Sequence, residues 1–543
     1  MFKTRYFLLI IVIAAQFVLG CSTNPVTGKQ ELSLLSSNQE INIGEKNYGS
    51  YRQAQGGDYY LDPSLQSYVS GVGAKLAQVS DAPNLPYEFV VLNNSMPNAW
   101  ALPGGKIAIN RGLLAYLEDE AQLAAVLAHE IVHAAARHGA SQMTRGALTN
   151  LGLIAIGAGI EGKANSQLYD AASQVGIAAW MSKYGRDDEL ESDYYGMEYM
   201  VRAGYDPQGA VELQKAFVAL NKGSQPDFVN ALFASHPPSQ KRLEANQVHA
   251  KNYPSGRRYR QRYLNAIAQV IKDQPAYDFA KQAHEKLRKK QPKEALRDLD
   301  KAVLAQNNEF SFWLMRGYAW AMLGNNKNAE LAFTTSIIKN PAHYRAYLER
   351  GILLYDQGQR EKGISDIKRS HAILPTAKGS YYLGEQEMAM KNYARAKSYY
   401  SEASNSPGKF RELAEQKMMV ADQNLNPKKY IQAKVVIVEP AQVGIKLTNL
   451  GTVSIHNVQI WISNGKTTQN ILWNKNINSK KSAIIRSQFK VGVSSLSDQV
   501  FSSRHNESSY CTLVYLQTLF CRSCQMITCR YTREICLIAA MLY

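Results

Sequence analysis

The chain has 543 residues, of which 45% are hydrophobic, and a formal net charge of +17. That length points to three or four domains, and the apolar share is ordinary for globular protein. The 62 Lys and Arg are spread along the chain without a basic-aromatic motif, which suits a general attraction to anionic membrane surfaces and speaks against nucleic acid as a partner.

Lys3 and Arg5 make a charged start, and Phe7 to Leu19 is an apolar core broken only by Gln16. This is the pattern of a secretory signal. It ends in Val18-Leu19-Gly20-Cys21, which resembles a bacterial lipobox: residues 1–20 are expected to be removed and Cys21 to be lipidated. In Gram-negative lipoproteins Ser22, rather than Asp, after the cysteine implies the outer membrane. The mature chain is then tethered by lipid and faces the periplasm. The alternative is an ordinary signal peptide followed by a coincidental cysteine.

Residues 21–265 read as one α-rich unit with a small sheet. Glu88–Leu92 and Lys106–Asn110 are short strand-like runs whose partial alternation suits edge strands, with Pro103-Gly104-Gly105 as a turn. The most informative stretch follows. His129-Glu130-Ile131-Val132-His133 lies in a run from Leu123 to Ala136 that is apolar nearly all round, the pattern of a buried helix. Two histidines four apart on a helix lie about 40° apart around its axis, so both can ligate one Zn²⁺. Glu130 beside them is placed to act as the base toward a metal-activated water. Glu118, Asp119 and Glu120 suit the first turn of this helix. Leu151–Ile160 is apolar and glycine-rich but far too short to span a membrane; a flap, a lipid-touching patch and a buried helix all remain open.

Two histidines leave zinc short of a third protein ligand. On a continuous helix His138 points about 140° away from the pair and reads as structural. In Arg186–Gly196, Glu189 and Asp193 share a face, so one can ligate while the other orients a ligand histidine. Glu191, about 200° round from Glu189, is expected to face solvent.

A 34-residue period comes next: Gly317 and Gly351, Gly324 and Gly358, Pro341 and Pro375. With Trp320, Ala329 and Phe333 at the expected offsets this resembles the tetratricopeptide repeat (TPR). Ala295 and Ala302 extend it backwards, and Gly384 and Ala396, displaced by one residue, extend it forwards. About four repeats are expected over residues 276–410, stacked into a groove for peptide or protein segments. Beyond Pro427 the period becomes two, in Val443, Ile445 and Leu447 and in Val458, Ile460 and Ile462. This predicts a small β-sandwich over 430–495. Cys511, Cys521, Cys524, Cys529 and Cys536 crowd the end. The abrupt change of composition marks residues 500–543 as a tail of doubtful origin. A small zinc site there is the alternative, with spacing that fits no standard pattern.

The motifs together resemble a known family. HEIVH, Glu189-x-x-x-Asp193, the upstream Asn98–Asn110 run and the downstream Ser235-His236-Pro237-Pro238-Ser239-x-x-Arg242 are similar to the HtpX and CAAX-protease family of gluzincin metallopeptidases, over about residues 30–250. The resemblance implies an α+β fold with a mostly helical peptidase domain and a small edge sheet, followed here by an all-α repeat solenoid and a small all-β domain. It implies one Zn²⁺ per chain on His129, His133 and Glu189, with Glu130 as catalytic base. Lipobox and repeats bring the chain nearest to periplasmic BepA-like peptidases. In these the counterpart of His236 takes the fourth metal position and keeps the enzyme latent, and that of Arg242 steadies a developing oxyanion. Asp193 counts among the catalytic residues. The implied function is a zinc endopeptidase of the bacterial envelope that degrades misfolded or stalled outer-membrane proteins and assists β-barrel assembly. Its partners are those substrates and, through the repeat groove, the assembly machinery. Substrate is expected as an added strand beside Lys106–Asn110. The rival reading is a periplasmic chaperone or adaptor working through its repeats, with little proteolysis. Membrane-embedded prenyl-peptide processing fails for want of a spanning helix after the signal.

Overall fold

The computed structural model describes residues 21–146, 184–222, 236–438, 442–455, 458–463, 468–490 and 513–518. They fall into two compact units, Met1–Ala346 and Tyr347–Tyr543. The signal segment, Leu151–Ile160 and the terminal cysteines lie outside the described residues.

The first unit opens with an antiparallel hairpin, β1 (Cys21–Thr23) and β2 (Gln30–Leu32). Helix α1 (Ser37–Ala54) starts from a capping box in which Ser36 and Gln39 satisfy each other's backbone N–H groups. Helix α2 (Pro63–Ala77) is capped by Asp62 and carries proline in its first turn. A three-stranded sheet follows, of β3 (Glu88–Leu92), β4 (Ala99–Leu102) and β5 (Lys106–Asn110), in the order β3-β5-β4. β3 runs parallel and β4 antiparallel to β5. The β4–β5 turn is the expected one. Gly104 and Gly105 sit at φ +78° and +82°, and a Cβ on Gly104 would lie 2.7 Å from the Ile41 Cα.

β5 departs from its expected place. It is the central strand, bonded on both sides, so it cannot accept a substrate strand; of the two runs read as edges only β3 is one. The reason lies in the apolar run itself, which is buried on both faces. Phe89, Val91, Ala99, Ala101, Ile107 and Ile109 pack with the helices of the main core. Val90, Leu92, Trp100, Leu102 and Ala108 join Tyr48 of α1 in a second cluster. Beyond the short α3 (Arg111–Leu114), the central helix is α4 (Glu120–Ala135), buried almost throughout. On it pack α5 (Arg186–Arg202), α6 (Gln208–Lys222) and, beyond α7 (Gln240–Ala250), which lies against α5 and α6, α8 (Arg260–Ala266).

The repeats begin in the same unit with α9 (Ala268–Arg288), α10 (Pro292–Ala305), α11 (Phe310–Met322) and α12 (Asn326–Lys339). The small residues at the repeat positions are where helices approach: a Cβ on Gly317 would lie 2.2 Å from the Phe333 ring. Buried Glu309 caps α11 and also accepts from Asn93, just past β3, at 2.9 Å and from the Tyr277 hydroxyl at 2.8 Å. Fully buried Arg111 stacks on the Tyr277 ring. These bonds fasten the first repeat helices to the end of the three-stranded sheet.

Helices α13 (Tyr344–Asp356), α14 (Arg360–Ile373), α15 (Ala377–Ala389), α16 (Tyr393–Ser404) and α17 (Lys409–Leu425) continue the pattern. The displaced pair expected at Gly384 and Ala396 joins α15 to α16, with Gly384 against the Tyr400 ring. The second unit ends in two three-stranded antiparallel sheets. One is β6 (Ile431–Val438), β7 (Gln442–Asn449) and β10 (Ser482–Lys490); the other is β8 (Val458–Ser463), β9 (Thr468–Trp473) and β11 (Leu513–Thr518). Ile445, Leu447, Val458, Ile460, Ile477 and Ile485 form their shared core, so this is the expected all-β part. Its last strand comes from inside the tail read as foreign, pairing residue for residue with β8. Among the described residues no helix is long and apolar enough to cross a membrane.

Candidate metal centre

Helix α4 presents His129 and His133, α5 presents Glu189, and His236 enters just before α7. These four form the group able to hold a metal among the described residues. Gly196 of α5 lets the two helices close up: a Cβ there would lie 3.2 Å from the His129 backbone nitrogen. His129 Nε2 and His133 Nε2 are 3.1 Å apart, and His236 Nδ1 is 3.3 Å from the former. Glu189 Oε1 is 3.4 Å from His133 Nε2 and 2.9 Å from His236 Nδ1.

This donor set fits a metal ion. Zinc with bonds of about 2.0–2.1 Å to nitrogen in tetrahedral geometry separates its ligand atoms by about 3.3 Å, close to the spacings present. Imidazole nitrogens turned toward each other in a buried pocket need a shared cation to make them compatible. The electrostatics agree. Burial works against charge on His236, yet Glu189 and Glu130 push it up to about 9, so the site demands a positive charge. Burial likewise penalises ionised Glu189, but His236, His133 and Arg242 hold it well below the usual carboxylate range. Burial also takes His133 well below its ordinary value, leaving it neutral as a ligand must be.

Glu130 stands against this group, with Oε1 3.4 Å from His236 Nε2 and Oε2 buried without a hydrogen-bond partner among the described residues. Burial pushes its carboxyl up, with His236 and His129 working the other way. Asp193 accepts from His129 Nδ1 at 3.0 Å, which orients that ligand. Arg242 grips both Asp193 oxygens at 2.7 Å, and also contacts Glu189 Oε2 at 2.7 Å and the Pro237 carbonyl at 3.1 Å. The guanidinium of Arg242 thus braces two carboxylates of the site.

Beside Glu130 lies a cavity of about 70 Å³, open at its mouth, lined by Leu113, Val126, Met197, Met200, Leu213 and Phe217. Gln214 also lines it, its buried amide nitrogen without a partner among the described residues. β4, whose Ala99 reaches this space, has no strand on its outer side among the described residues.

Two expectations need correcting. Glu191 does not face solvent: it lies 3.2 Å from His138 Nε2 and accepts from Asn24 at 3.2 Å. His138 does not point away either, because α4 stops before it. Arg137 is left-handed (φ 62°) and turns the chain back, bringing His138 Nδ1 to 2.9 Å from His133 Nδ1. No local pattern announces Asn24, which is 167 residues from Glu191. Tyr184, stacked on His133 at 3.9 Å between ring centroids, carries no motif.

The comparisons with known proteins agree with this geometry. Residues 63–248 match the family model for Peptidase family M48. This part of the chain is similar to the peptidases of that family. Over 250 residues the chain is 30% identical to the Beta-barrel assembly-enhancing protease of Escherichia coli (strain K12), covering 44% of this chain and 50% of that protein. It is 29% identical over 272 residues to the Putative beta-barrel assembly-enhancing protease of Vibrio cholerae, covering 47% and 53%. Against Mitochondrial metalloendopeptidase OMA1 of Schizosaccharomyces pombe it is 31% identical over 224 residues, covering 40% and 63%. The chain thus spans about half the length of the first curated relatives it matches. The family resemblance carried by the four motifs is borne out, and so is the expected fold class.

Proposed function

We propose that this chain is a zinc-dependent endopeptidase of the bacterial envelope, held at the outer membrane by lipid on Cys21 and facing the periplasm. It degrades misfolded or stalled outer-membrane proteins and assists β-barrel assembly, with its repeats engaging those substrates or the assembly machinery. The observation that carries the reading is the convergence of His129, His133, Glu189 and His236 with Glu130 beside them. The M48 domain and the similarity to beta-barrel assembly-enhancing proteases support it. Envelope and anchor rest on the Val18–Cys21 pattern.

Held by His129, His133 and Glu189, zinc would polarise the scissile carbonyl and acidify the attacking water. Glu130 takes the proton and hands it to the leaving amine, its unpartnered Oε2 serving as the acceptor. Asp193 fixes His129, and Arg242 keeps Asp193 and Glu189 ionised. Substrate lies against the outer side of β4, not β5, as an added strand. The apolar space beside Glu130 takes one of its bulky apolar side chains. His236 fills a metal position and keeps the site latent until it is withdrawn.

The test is zinc content together with β-casein cleavage for wild type, Glu130→Gln and His236→Ala. About one zinc per chain is expected in wild type and Glu130→Gln. Cleavage should fall about 10²–10⁴-fold in Glu130→Gln and rise in His236→Ala. Zinc bound by every variant with cleavage by none would overturn the peptidase reading in favour of a repeat-based chaperone.

A further inference from the structure

Behind His133 sits a cluster that the peptidase chemistry leaves unused. His138 Nδ1 lies 2.9 Å from His133 Nδ1, and only one of the two can carry the proton. A metal held by His133 Nε2 leaves the proton on Nδ1. His133 is then the donor and His138 Nδ1 the acceptor. That places the proton of His138 on Nε2, where Glu191 Oε1 accepts it at 3.2 Å. The same carboxylate oxygen accepts from Asn24 Nδ2 at 3.2 Å. Asn24 also donates to Glu31 Oε1 at 2.8 Å, and Ser141 donates to the other Glu31 oxygen at 2.9 Å. His138 and Asn24 are each only 2% exposed, so water is a poor substitute for these partners. The Ser192 hydroxyl, 3.5 Å from His138 Nδ1, is the other polar neighbour.

The two ligand histidines of α4 are therefore backed differently. His129 meets a carboxylate directly, in Asp193. His133 reaches its carboxylate one imidazole further away, and that carboxylate is held by the hairpin that follows Cys21. Arg137 fixes the same segment from the other side, bonding to Ser22, Glu40 and the Leu35 carbonyl.

We propose that His138, Glu191 and Asn24 are positioning residues that fix the tautomer and ring plane of His133, so that the hairpin after Cys21 sets the metal affinity of the site. This rests on the metallopeptidase reading. It is tested on the full chain by competing zinc away with a chromophoric chelator, alongside the visible spectrum of the cobalt-substituted protein. Outer partners of metal ligands are typically worth 10–100-fold in affinity. His138→Leu and Glu191→Leu should weaken zinc binding by about that factor and shift the cobalt bands. His138→Gln, whose amide can both accept and donate, should recover most of the loss, and Asn24→Ala should show a smaller weakening. Folded His138→Leu with wild-type zinc affinity and spectrum overturns the proposal. So does His138→Gln behaving no better than leucine. Should His138→Leu not fold, unchanged affinity in both Glu191→Leu and Asn24→Ala overturns it instead. Wild type that binds no zinc overturns the metallopeptidase reading along with the relay; wild type that binds while these variants bind equally removes the relay alone.

Discussion

The peptidase core and the repeat helices bury their sequences on opposite terms. Around α4 the interior holds charge: Glu130, Glu189, Asp193 and Arg242 are all shut away, each carboxylate set against a cation or another site group. In the repeats the closest helix contacts are made by glycine, alanine and aromatic rings, with single buried acids such as Glu309 and Asp298 each tied to a polar partner rather than gathered at one centre. One histidine buried there, His343, is held neutral. The difference separates two origins of intolerance. A change in the core is felt because a partner is left unpaired, and a change in the repeats because two helices can no longer meet.

The sharpest break of that contrast is Arg242→Leu. It leaves Asp193 and Glu189 buried without their brace, and removing one partner of a buried ion pair typically costs about 3–5 kcal/mol. Urea unfolding at neutral pH should show a loss of that size; an unchanged midpoint would mean that the carboxylates do not depend on the guanidinium. In the second unit, Gly351→Val drives a side chain into the Gly363 carbonyl, 2.8 Å from where its Cβ must go. Overpacking of this kind costs about 1–3 kcal/mol. Thermal unfolding should register it while zinc stoichiometry stays at the wild-type value, and a parallel loss of zinc would blur the contrast.

The smallest effect concerns pH. Burial, aided by the charge of Arg345, takes His343 from its ordinary 6.5 to about 3. The unfolded chain therefore binds a proton below about pH 6.5 that the folded chain refuses until about pH 3. Stability contributed by His343 is thus present above pH 6.5 and lost as pH falls through that window. His343→Gln should flatten this acid limb, read as urea midpoint against pH; equal slopes in both proteins would show that His343 is not buried neutral.

The same contrast explains how much of the fold and site is legible in the sequence. The repeats were legible because each glycine recurs at a fixed spacing, as with Gly317 and Gly351, so one chance match is checked by the next. The HEIVH helix was legible because a buried apolar face makes two imidazoles and a carboxylate conspicuous. Asp193 followed from its spacing to Glu189. The backing of His133 was not legible. Glu191 looked solvent-facing on an isolated helix, and its partners come from Asn24 and from His138, beyond a break in α4. The central place of β5 was hidden for a related reason: an apolar run declares burial on both faces, but not which strands lie on either side of it.

Position 137 is pulled in two directions. Its φ of 62° is one that glycine adopts without strain, yet Glu40, Ser22 and the Leu35 carbonyl all call for a guanidinium. Drift to glycine would relax the backbone and remove one of the ties on the N-terminal segment in the same step, leaving those of Asn24 and Ser141. Lysine would keep the charge but carries it at a single point, where arginine spreads donors over a planar fork. Arginine therefore stores backbone strain at this turn and returns it as three bonds to the segment after Cys21.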